Sequence, residues 1–71
     1  MTQEQADRID EGMTKWFAAH QKEYEPIHAG PPYMCAFGAD DDCPAYITID
    51  GQMTIPALRE LLRLIDAETA S

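Results

Sequence analysis

Seventy-one residues with thirteen Asp and Glu against five Lys and Arg, a net charge of -8, make one small domain whose surface repels nucleic acid and anionic membrane. Basic surfaces are favoured as partners, and at 45 % hydrophobic the chain is not compositionally disordered. No apolar run approaches the roughly 20 residues that span a bilayer. The acidic opening MTQEQADRIDEG lacks the basic and apolar regions of a signal peptide, so a soluble, cytoplasmic protein with free thiols is expected.

Thr2, with Gln5 three residues on, has the form of a capping box and opens a helix expected over 3–24. Ile9, Met13, Trp16, Phe17, His20 and Tyr24 recur at intervals of three and four and form its apolar stripe. Glu4, Asp7, Asp10 and Glu11 crowd the first half, with Lys15 and Lys22 in the second, which complements the helix dipole. Gly12 weakens the middle by about 1 kcal/mol relative to Ala.

Pro26 closes this helix, and 25–32 reads as a proline-rich loop. A strand is expected over 33–38, with Tyr33, Cys35 and Phe37 on one face. A turn over 39–44 and a second strand over 45–50 complete an antiparallel hairpin. Asp50-Gly51 is a strong turn signal, and Gln52-Met53 is a candidate for a very short third strand. Thr54 caps a last helix over 55–68, with Pro56 tolerated in its first turn. Leu58, Leu61, Leu62 and Ile65 form its inward stripe, Leu64 flanks them, and Arg59, Glu60, Arg63 and Asp66 sit outside.

The expected fold is thus a single α+β domain over 1–71, helix–strand–strand–helix, with both helices covering a hairpin that is marginal by itself. Its expected core is Ile9, Met13, Trp16, Phe17, Phe37, Ile47, Ile49, Leu58, Leu61, Leu62 and Ile65. So small a core admits a homodimer, which would add buried surface.

Catalytic and metal chemistry find little support. The only serine is Ser71 at the C-terminus, the flanks of Cys35 and Cys43 match no cysteine-enzyme pattern, and no phosphate-binding glycine motif is present. The chain is read as no enzyme and as needing no cofactor. His20, His28, Cys35 and Cys43 follow H-x7-H-x6-C-x7-C, without a tight pair to anchor zinc. Asp40, Asp41 and Asp42 read as a solvated turn that caps its own backbone rather than as a cation site. The stretch from Tyr46 to Ala57 resembles the second part of an EF-hand loop around Gly51. Only Asp50 survives as an acidic ligand, and Ala57 falls where the bidentate glutamate belongs.

Two surfaces remain as partner-binding candidates. One is acidic: Glu4, Asp7 and Glu11 on the outer side of the first helix, with Asp40, Asp41 and Asp42. The other is aromatic: Tyr24, Tyr33 and Tyr46, with Ile27, around the proline loop. Solubility alone is usually met by mixed signs, so the imbalance points to function. The first expectation is a small acidic protein that inhibits a basic, nucleic-acid-handling protein by imitating a phosphate array. Phage-encoded inhibitors of bacterial defence, such as anti-CRISPR proteins, and immunity proteins against basic nucleases share this size and charge; that analogy rests on no residue motif. The second is a self-associating structural or regulatory module using an edge strand and an apolar patch at Leu64. A metal-binding domain is the third.

Overall fold

The computed structural model describes residues 1–26 and 34–70. Within them the elements run α1 (Gln3–Ala19), β1 (Tyr24–Glu25), β2 (Met34–Phe37), β3 (Tyr46–Ile49), β4 (Gln52–Met53) and α2 (Ile55–Thr69). This is the expected small α+β domain, with the helix–strand–strand–helix order built around the β2–β3 hairpin.

The capping box forms as the sequence implies. Thr2 Oγ1 accepts the Gln5 N–H at 3.2 Å, and Gln5 Oε1 accepts the Thr2 N–H at 2.7 Å. Gln5 then does a second job, its Nε2 donating to the Glu68 carbonyl at 2.6 Å near the end of α2. Arg8 Nε pairs with Glu68 Oε2 at 2.8 Å, and Gly12 faces Leu64. The two helices therefore run antiparallel, and Gln5 satisfies a carbonyl in the last turn of α2, where no intrahelical donor is available.

α1 stops at Ala19, short of the expected Tyr24. His20 caps it, its N–H returning to the Phe17 carbonyl at 3.1 Å, and the Glu23 N–H bonds the His20 carbonyl to turn the chain. Tyr24 and Glu25 then pair antiparallel with Met53 and Gln52. The third strand expected at Gln52-Met53 thus exists, but it builds a second two-stranded sheet instead of extending the hairpin. The Tyr24 ring still stacks on Phe17, centroids 4.8 Å apart, so the contact that imitated helical spacing survives without the helix. The rest of the expected loop, 27–32, and Tyr33 at the start of the expected first strand lie outside the described residues.

In the hairpin, Met34 pairs with Ile49, Cys35 with Thr48, Ala36 with Ile47 and Phe37 with Tyr46. The Ala36 and Ile47 face packs on the helices, chiefly on α1, while α2 packs chiefly on the other flank of α1. α1 is consequently the middle of the molecule. Its Ala6, Ile9 and Met13 are fully buried, and with Ala36, Ala57 and Leu61 they make up the buried core.

Several expected core residues lie elsewhere. Trp16, Phe17, Phe37, Ile47 and Ile65 are only partly buried, and Ile49, Leu58 and Leu62 are exposed. On α2 the buried line is Ala57 and Leu61, with Leu64 and Ile65 packed beside them. Leu64, expected as a flank, is turned to α1: a Cβ at Gly12 would stand 3.0 Å from Leu64 Cδ1. Alanine and glycine let the helices approach closely, which rotates the larger leucines Leu58 and Leu62 outward.

Candidate functional site

The stripe that buries Ala6, Ile9 and Met13 puts Glu4, Asp7 and Glu11 on the opposite side of α1, all exposed. Their spacing of three and four residues makes a ridge with carboxylates rising about 4.5 and 6 Å apart along the axis. Asp7 Oδ1 accepts from Gln3 Nε2 at 2.9 Å, and Glu11 pairs loosely with Lys15 at 3.2 Å. Among the described residues Glu4 has no close ion pair, only a longer-range attraction to Arg8.

The Asp40–Asp42 turn is fastened to the start of this ridge. The Gly38 N–H donates to Gln3 Oε1 and the Ala39 N–H to the Met1 carbonyl, each at 2.9 Å. Gly38 is required here, because a Cβ at that position would overlap the backbone of Thr2 and Gln3. Within the turn, Asp40 Oδ1 accepts the N–H groups of Asp42 at 2.9 Å and Cys43 at 2.7 Å, so Asp40 builds the turn. Asp41 and Asp42 are exposed, and among the described residues their carboxylates have no hydrogen-bond or ion-pair partner. Two acidic segments more than 30 residues apart in sequence thus meet at one end of the molecule as a rim.

Asp10 is the carboxylate that sequence reasoning passed over. It sits on the flank of α1 beside β2 and accepts the Ala36 N–H at 2.8 Å, holding the hairpin to the helix. Burial pushes its carboxyl above the usual range; the Ala36 bond opposes this and the Asp7 charge adds to it. A raised acid binds protons more readily folded than unfolded, so its ionisation destabilises the fold as pH rises from about 3.8 through the raised folded value. Asp10→Asn keeps an oxygen for Ala36 and removes the charge. Its stability at pH 7, by urea unfolding, should match or exceed that of the parent, with the difference shrinking on acidification to pH 4. Asp10→Ala, which strands the buried Ala36 N–H, should lose about 1–3 kcal/mol. Equal losses in the two variants would contradict this account.

The aromatic candidates are separated. Tyr24 is half-buried, and its hydroxyl donates to the Asp50 carbonyl, so it works within the fold. Tyr46 is 51 % exposed and stacks on Phe37 at 4.7 Å, on the hairpin face turned from the core. As the last hairpin pair before the acidic turn, these two rings adjoin the rim. Tyr33 and Ile27 lie outside the described residues.

His20, expected inside, is exposed at the end of α1, its ring stacked on Trp16 and its Nδ1 2.8 Å from the Trp16 carbonyl. Cys35 is half-buried on β2, Cys43 is exposed in the turn, both are free thiols, and His28 is outside the described residues. Among the described residues no group of three His, Cys, Asp or Glu is arranged to hold a metal ion. No helix among them is long and apolar enough to cross a membrane.

The class this geometry defines is a small α+β domain with an acidic rim. No protein-family model matches the chain, and no curated protein or solved structure matches it either.

Proposed function

We propose that this domain is an acidic binding protein that inhibits a basic, nucleic-acid-handling protein by occupying its phosphate-binding surface. The observation that supports this reading is the union of the α1 ridge with the Asp40–Asp42 turn, which groups Glu4, Asp7, Asp41 and Asp42 with no cation among the described residues paired to them at close range. Such an array competes for the same Lys and Arg side chains that bind nucleic acid. Tyr46, exposed beside it, supplies an aromatic contact of the kind that anchors protein interfaces. A phage-encoded inhibitor of bacterial defence, of the anti-CRISPR kind, is one setting for this activity.

The test is capture from a host lysate on the immobilised domain, washed at low and high salt and challenged with duplex DNA, with retained proteins identified by mass spectrometry. A basic nucleic-acid-binding protein should be retained, released by salt and displaced by the DNA. The variant Glu4→Lys, Asp7→Lys, Asp41→Lys, Asp42→Lys should bind it at least about tenfold more weakly, since each reversed rim pair is worth roughly 0.2–1 kcal/mol and becomes repulsive. Asp40 is spared because it holds the turn. Equal retention by the variant, or no such protein, would remove the proposal.

A further inference from the structure

We draw no further inference here: the strongest candidate, the exposed apolar face of α2 formed by Ile55, Leu58 and Leu62, carries none, since nothing in the structure shows what covers it.

Discussion

Ile9→Ala or Met13→Ala should unfold this domain at room temperature or leave it on the edge of doing so. Among the described residues these are the largest fully buried side chains, both on α1, the helix that packs against α2 and the hairpin. Truncating such a residue costs about 2–5 kcal/mol, from lost transfer energy and from the cavity left behind. A domain of this length has roughly 3–5 kcal/mol in hand, so either change consumes most of it. Leu58→Ala and Leu62→Ala are the controls, with losses of only about 1 kcal/mol because Leu58 is 40 % and Leu62 51 % exposed already. Denaturant unfolding followed by far-UV circular dichroism distinguishes the two sets. Similar losses in both would mean that Leu58 and Leu62 are buried after all. Trp16→Ala should fall short of the 3–5 kcal/mol typical of a fully buried tryptophan, since Trp16 is half-buried against His20 and Phe17.

Gly51→Ala should be the second large effect, about 2–4 kcal/mol, combining backbone strain with overpacking. Gly51 has φ +113°, a conformation that side chains with a Cβ rarely adopt, and a Cβ there would overlap the Glu25 carbonyl and Pro26. The damage extends along β1 and β4. Tyr24 donates to the Asp50 carbonyl, Glu23 accepts the Thr54 N–H at 2.9 Å, and the Glu23 carboxylate accepts the Thr54 hydroxyl that also caps α2. Hydrogen exchange in Gly51→Ala should therefore show lost protection at Thr54 and in the first turn of α2 before the β2–β3 hairpin responds. Uniform loss would make Gly51 a global rather than a local constraint.

The division of labour between the two acidic segments explains what a mutational scan of charge would find. Asp10 and Asp40 hold backbone N–H groups and serve the fold, so their replacement by Ala disturbs structure as well as charge. Among the described residues the Glu4, Asp41 and Asp42 carboxylates form no hydrogen bond, and these are the positions where charge can be changed alone. Arg63 keeps the Glu60 carboxyl below its ordinary range through their hydrogen bond.

Much was legible in the residues themselves. The Thr2–Gln5 capping box, the Thr54 cap with Pro56 behind it, the β2–β3 hairpin and the self-capping turn at Asp40 are local features, each decided by residues within a few positions of one another. Local chemistry of that kind survives into the fold because nothing distant competes with it. The acidic excess and the outward placement of Glu4, Asp7 and Glu11 follow equally from composition and helical period.

Tertiary structure decided the rest. Periodicity carried α1 on to Tyr24, but pairing with Met53 captured that residue for β1, since strand partners far along the chain are invisible to a local window. Alanines and a glycine chose which side of α2 is buried, because close helix approach is favoured by small residues that carry little hydrophobic weight in a sequence. The meeting of Gln3 with Gly38, and of Met1 with Ala39, joined two acidic segments into one rim. The chain determined how much negative charge there would be; the packing of the hairpin against α1 determined where it gathers.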